Sequence, residues 1–389
     1  MGRKPAAVYV AATRQHVGKT STCVGLLQGL TDRIEHIGFL KPVGQESVPV
    51  GNTGVRVDKD VAVAKEVFRL NNCQYADMSP VVIPPGYTRK YLDGQITFES
   101  QLAKIQRSFA RITAANDVSD RCLAPQLVYT IVEGTGHTGV GSIVELNNAR
   151  VAAELGVDMV LVANGGIGSA FDDLALNHSV CRDYGVKIRG VILNKVRYDK
   201  MDMVKEYFPK ALRQWGVPLI GVVPNLPSLA NNSMLDFEGL FKTRMLSGHA
   251  RRFQQYSRTC LVTSGLRRFL AKLASNEFND ALFVTHATRN DIILGFLSHL
   301  QTFEAKTGTR FGGGMILTGQ PPHDQPQEYI MGTIRYTDAP VLYAPVTTFD
   351  AMERITRFTA KFNPTDRDKV VACGKHYAQY LDFDIILDR

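Results

Sequence analysis

Twelve residues near the start of the chain, Ala11 to Thr22 ("AATRQHVGKTST"), have the types and spacing to hold a phosphate. They close on Gly18-Lys19-Thr20. In such a loop a lysine reaches the β- and γ-phosphates of a nucleotide and the following hydroxyl ligates Mg²⁺. Backbone N–H groups curl around the anion, and the helix that begins there presents its positive end to it. Gly18 is expected to be glycine because a Cβ would strike the phosphate. The general pattern asks for a glycine at position 13 as well, where this chain has Thr13. That first position is less tied to phosphate contact, and some classes place a small residue there. The surroundings favour the loop, since "AVYVAA" reads as a strand before it and "TSTCVGLLQGL" as a helix after it.

A loop of this kind needs a parallel sheet behind it. The first half of the chain supplies short apolar runs at Ala7–Ala12, 38–43, 127–132, 159–163, 190–193 and 219–223, each bounded by turn residues and separated by helical patterns. That is the signature of buried parallel strands in an α/β domain. The turn-rich stretch 225–241 ("NLPSLANNS" within it) marks a boundary. A second α/β pattern follows, with a helix predicted around 245–256, strands at 259–263, 281–285, 314–317 and 341–344, and helices at 291–307 and 349–358. There is no second Gly-Lys-Thr, no internal repeat and no low-complexity tract.

Composition narrows the function classes. In 389 residues, 44% hydrophobic and 21% charged residues describe a globular chain with room for two cores. No apolar run is long enough for a membrane span. The six cysteines are scattered without a C-x-x-C pair, which suits a reducing compartment and suggests neither a zinc site nor a disulfide framework. An apolar strand begins almost at once, so no signal peptide is expected and the predicted location is cytoplasmic. Gly2 would permit myristoylation, but Ala6 stands where a hydroxyl residue is wanted. The net charge of +8 is spread in short broken clusters. It suits an acidic ligand such as a nucleotide better than nucleic acid.

"ATRQHVGKTSTCVGLLQGL" resembles the variant phosphate loop of dethiobiotin synthetase, a family grouped with the cobyrinic acid a,c-diamide synthases and the MinD-type ATPases. It is closer still to the N-terminal region of long bacterial phosphotransacetylases. The resemblance implies ATP and Mg²⁺ as ligands, with Thr13, His16, Val17, Gly18, Lys19, Thr20 and Ser21 around the phosphates. "GFLKPVGQ" puts Lys41 on the lysine that meets substrate and phosphate, and "RVDKDVAVAKEVF" puts Asp60 on a metal-binding aspartate, with Asp58 the less favoured candidate. "LVYTIVEGTGHTGVGS" ends a strand in Glu133, which the resemblance makes a magnesium ligand. "GVILNKV" puts Asn194 on the adenine edge, and "GVVPNLP" makes Pro224 and Asn225 the base-side loop. Thr20, Asp60 and Glu133 are hard oxygen ligands suited to Mg²⁺. Lys19, Lys41 and the metal would offset triphosphate charge. His137 reads as a loop residue.

Two departures matter. Arg14 stands where dethiobiotin synthetase has an aspartate and where MinD-type ATPases have a signature lysine that acts across a dimer. It is a candidate to stabilise transferred charge in trans, or else a solvated arginine. After Lys41-Pro42-Val43, Gly44-Gln45-Glu46 replace the family's small substrate-binding residues, so dethiobiotin synthesis is not expected.

In the second half, "FVTHATRNDIILGFL", "GGGMILTGQPP" and "NPTDRDKV" resemble the DRTGG domain, a regulatory or dimerising unit. Arg289 and Asp291 there read as an anion site or a capped helix start with an ion pair. The expected division is a nucleotide-binding domain over 1–230 and a DRTGG-like domain over 242–389. No acetyltransferase or glutaminase segment follows before Arg389, so acetyl transfer and channelled amidation are not expected. The expected function is a Mg-ATP-binding, slowly hydrolysing regulatory protein with a homodimer or protein partner. The alternatives are an ATP-dependent ligase acting on a small carboxylate or carbamate, and a structural subunit of a larger assembly.

Overall fold

The computed structural model describes residues 5–51, 54–114, 128–359 and 361–388. Cys122 and Leu127 lie outside the described residues. The chain divides into two compact units, Met1–Asn225 with Phe362–Arg389, and Leu226–Lys361.

The first unit is built on strands β1 (Ala7–Ala12), β2 (Ile37–Leu40), β3 (Tyr129–His137), β4 (Met159–Asn164), β5 (Ile188–Val196) and β6 (Leu219–Pro224). They form one sheet in the order β6-β5-β4-β1-β3-β2, and every pairing is parallel. Every residue of "AVYVAA" is buried, as a continuous apolar run must be when helices cover both faces. Helix α1 (Lys19–Thr31) follows β1, α2 (Lys59–Phe68) follows β2, and α3 (Gly168–Asp183) follows β4. The chain leaves β1 for β2 and returns through β3 to β1's near side before crossing to β4. The carboxyl end of β1 therefore lies where open α/β sheets bind ligands.

The second unit has a five-stranded sheet. Its members are β7 (Met245–Ser247), β8 (Arg258–Leu261), β9 (Ala281–His286), β10 (Gly314–Thr318) and β11 (Val341–Ala344), in the order β7-β11-β10-β9-β8. β8 to β11 are parallel and β7 pairs antiparallel at the edge. Helix α4 (Asn290–Thr307) follows β9. The helix predicted at 245–256 does not form. Gly248 takes a left-handed backbone (φ 69°), and a Cβ there would lie 2.6 Å from the Ala339 carbonyl. Ser247 Oγ donates to that same carbonyl at 2.6 Å. Arg251, buried, is held by Glu304 at 2.7 Å and Asp338 at 3.0 Å. Tertiary bonds thus override a helical pattern. Arg289 is taken up by both carboxylate oxygens of Asp291, each at 2.9 Å, at the start of α4.

The last segment differs from the expected division. Helices α5 (Arg367–Ala378) and α6 (Phe383–Leu387) belong to the first unit, not to the second. They dock on α1 through two glycines four residues apart. A Cβ on Gly25 would overlap Tyr377, and one on Gly29 would overlap the Phe383 ring. Beyond α5 the chain bridges the edge of β6, Leu381 to Gly221, and Asp382 N–H donates to Ile220 at 2.8 Å.

Candidate functional site

Thr13 continues the line of β1, its N–H donating to Val162 at 2.8 Å. It keeps a negative φ, so no glycine is needed at this position. Its carbonyl accepts from Nδ2 of Asn177 on α3 at 3.0 Å, and Asn177 Oδ1 accepts from Thr138 N–H at 3.0 Å and Thr138 Oγ1 at 2.7 Å. Asn177 thereby ties the loop to the turn beyond β3. Gly18, at φ 96°, caps α1. A Cβ there would overlap Nδ2 of Asn194. The glycine is thus required by a left-handed backbone and a buried amide, apart from any phosphate.

Behind the loop the expected residues converge. Lys41, directly after β2, donates to Asp60 Oδ2 at 2.5 Å and to Glu133 Oε1 at 3.1 Å. Lys19 Nζ lies 3.4 Å from the same Glu133 oxygen, and Thr20 Oγ1 donates to it at 3.0 Å. Glu133 and Lys41 are buried, and the second oxygen of Glu133 has no partner among the described residues. Two cations face two anions, so the cluster balances itself.

The two aspartates separate cleanly. Asp58 is the N-cap of α2, accepting from Asp60 N–H at 3.0 Å and from Gln45 N–H at 3.1 Å. Asp60, two residues on in the first turn, carries its carboxylate to Lys41.

The electrostatics follow from burial and charge. Burial works against the charge of Lys41, but Asp60, Glu133 and Asp58 outweigh it and raise its pKa well above the usual lysine value. Burial pushes Glu133 upward, with Asp60 adding to the rise and both lysines opposing it. Asp60 is held down to about 2, since Lys41 and Lys19 overcome its burial. Burial and the Lys41 charge lower Lys19.

These residues fit a magnesium ion. The unpartnered Glu133 oxygen leaves a lone pair free for such an ion. Among the described residues no three His, Cys, Asp or Glu side chains form a metal cluster. Thr20, Asp60 and Glu133 would supply one hydroxyl and two carboxylates, and Mg²⁺ ordinarily completes such a small set with water and phosphate.

Other expected residues stand differently. Arg14 is half-exposed and bound to Asp173 of α3, Nε to Oδ2 at 2.6 Å. Asn194, expected on an adenine edge, is completely buried. Its amide donates to Val17 O at 2.7 Å and its oxygen accepts from Lys195 N–H at 2.8 Å. Pro224 O lies 3.1 Å from Nε2 of His376 on α5, and Asn225 N–H donates to Val196 at 2.8 Å. Ser21 O lies 3.8 Å from Cys373 Sγ, also on α5. His137 accepts from Gly139 N–H at 3.2 Å within its own turn.

Sequence reasoning missed Asp173, Asn177, Lys195 and the α5 residues. Gly25 and Gly29, two helix-weakening residues one turn apart on α1, were the available signal for the last.

A Gly-Lys-Thr loop between strand and helix, with a second lysine, a hydroxyl and two carboxylates gathered beside the parallel sheet, defines a P-loop domain of the α/β class. The profile of a family described as an AAA domain (AAA_26) matches residues 6–233. The chain belongs to that family. It is similar over nearly its whole length to phosphate acetyltransferases: that of Deinococcus radiodurans is 26% identical over 386 residues, 96% of this chain and 50% of the relative. An ATP-dependent dethiobiotin synthetase of Bacillus subtilis is 25% identical over 232 residues, 58% of this chain and 90% of the enzyme. One from Clostridium perfringens is 21% identical over 230 residues, 57% of this chain and 92% of the enzyme. The chain spans about half the length of the acetyltransferases it matches. Among the described residues no helix is long and apolar enough to cross a membrane.

Proposed function

We propose that the first unit binds Mg-ATP at the loop 13–21 and that the chain acts as a nucleotide-dependent regulatory protein with slow hydrolysis. The observation that carries this reading is the Lys19, Lys41, Thr20, Asp60 and Glu133 cluster, gathered from four separate elements behind the loop within 3.4 Å of one another's partners. In this reading Lys19 meets the β- and γ-phosphates, Thr20, Asp60 and Glu133 hold the metal, and Lys41 exchanges a carboxylate for the γ-phosphate. The metal supplies charge neutralisation at the phosphates. Arg14 would have to leave Asp173 to reach a second protomer's nucleotide. The regulatory role rests on the DRTGG-like residues of the second half and on similarity to acetyltransferases twice this length.

A second reading, an ATP-dependent ligase that phosphorylates a small carboxylate or carbamate, is favoured by the buried position of Lys41 and by the dethiobiotin synthetases among the relatives. Titration calorimetry with Mg-ATP, on the chain and on Lys19→Ala, tests the first. Binding that disappears in the variant, with slow phosphate release, supports the regulator. Release stimulated by a small carboxylate or amine would replace it with the ligase, and no binding would sink both.

A further inference from the structure

Two consecutive carbonyls of the loop are gripped from outside by two consecutive residues at the end of β5. Lys195 Nζ donates to His16 O at 2.6 Å, and Asn194 Nδ2 donates to Val17 O at 2.7 Å. His16 and Lys195 both have left-handed backbones, φ 60° and 55°. That conformation costs a non-glycine residue about 1–2 kcal/mol and persists where surrounding bonds impose it. Asn194 Oδ1 in turn fixes the Lys195 backbone. Asn194 Nδ2 and Lys195 Cε are also among the first atoms a Cβ on Gly18 would meet.

The consequence is geometric. In a trans peptide the C=O and the next N–H point opposite ways. Binding the carbonyls of His16 and Val17 on one side turns the N–H groups of Val17 and Gly18 to the other. Neither N–H has a protein acceptor among the described residues. Successive N–H groups presented in this way form an anion-binding concavity.

We propose that Asn194 and Lys195 are positioning residues that hold the loop open for a triphosphate whatever base it carries. The inference rests on the nucleotide reading above and departs from the adenine-edge role that the resemblance implies for Asn194, giving its amide to the loop instead.

Full-length Lys195→Met keeps the stem and loses the donor, and Lys195→Arg keeps a donor. Mg-ATP and Mg-GTP are titrated against each, with inorganic tripolyphosphate as a competitor. Loss of one charge-assisted bond predicts roughly tenfold weaker binding of all three ligands to Lys195→Met, with recovery in Lys195→Arg. The salt dependence stays that of the parent, because the ammonium is spent on a carbonyl. Asn194→Ala shows the same base-independent loss. A loss confined to ATP would make these residues base readers, and a flattened salt dependence would make Lys195 a direct phosphate ligand. Unchanged affinities with a lower melting temperature would leave a bond of stability alone. Each of these overturns the proposal while the nucleotide reading stands. Failure of the parent chain to bind any of the three would remove that reading and this one with it.

Discussion

Replacing Lys41 with methionine keeps most of the stem and removes the charge that joins Asp60 to Glu133. In the intact cluster Lys19 and Lys41 balance the two carboxylates, so Lys41→Met leaves one uncompensated negative charge in a buried site. Removing one partner of a buried pair costs about 3–5 kcal/mol. In a unit the size of Met1–Asn225 with Phe362–Arg389, each kcal/mol moves the melting temperature by about 2–4 °C, so the variant should melt roughly 6–20 °C lower at about pH 8. The pH dependence has a definite sign. Burial and Asp60 already hold the Glu133 pKa above its ordinary value, and Lys41 opposes them. Without Lys41 it rises further, so the folded state takes up a proton more readily than the unfolded chain. Stability then falls as pH rises through that interval, and the deficit against the parent shrinks toward about pH 5. Added Mg²⁺ should restore part of the loss at about pH 8, since the carboxylates and Thr20 no longer share their space with an ammonium. Thermal unfolding followed by circular dichroism, with and without MgCl₂ at both pH values, reads all three effects. A melting temperature within about 2 °C of the parent at about pH 8 would refute the reasoning, because Lys41 would then not compensate buried charge.

Asp58→Ala removes the cap of α2 and should cost about 1–2 kcal/mol of stability while Mg²⁺ still strengthens ATP binding. Asp60→Ala should abolish that Mg²⁺ dependence, and calorimetry beside thermal melts separates the two. Gly25→Ala places a methyl against Tyr377. Overpacking of about 1–3 kcal/mol should outweigh the gain in helix propensity, and amides of α5 should exchange faster with deuterium; a stabilised variant would contradict the docking described. Asp173→Asn frees Arg14 from a half-exposed pair at a cost below about 1 kcal/mol. If Arg14 works in trans, phosphate release per protomer in that variant should rise with protein concentration and vanish on adding Arg14→Ala; concentration-independent release would confine Arg14 to its own chain.

The sequence by itself determined the phosphate loop, the parallel α/β character of both halves, and the lysines, hydroxyl and carboxylates that meet behind the loop. These features are local or nearly so. A buried parallel strand must be continuously apolar, a Gly-Lys-Thr between strand and helix has few other uses, and Lys41 and Asp60 each sit beside a strand or helix end that the pattern marks, whereas Glu133, expected at the end of its strand, lies inside β3, which runs on to His137. Tertiary structure decided which of two neighbouring aspartates caps a helix, because Asp58 and Asp60 differ in direction and not in type. It also decided that 245–256 is no helix, since the bonds of Ser247 and Arg251 reach residues some 50 to 90 positions away. The same holds for the return of α5 and α6 to the first unit. Two glycines on α1 prepare their seat, but nothing local says which distant segment fills it. Asn194 and Lys195 make the point most sharply. Their residue types leave both base reading and loop binding open, and only the folded chain brings Val17 and His16 within 3 Å of them.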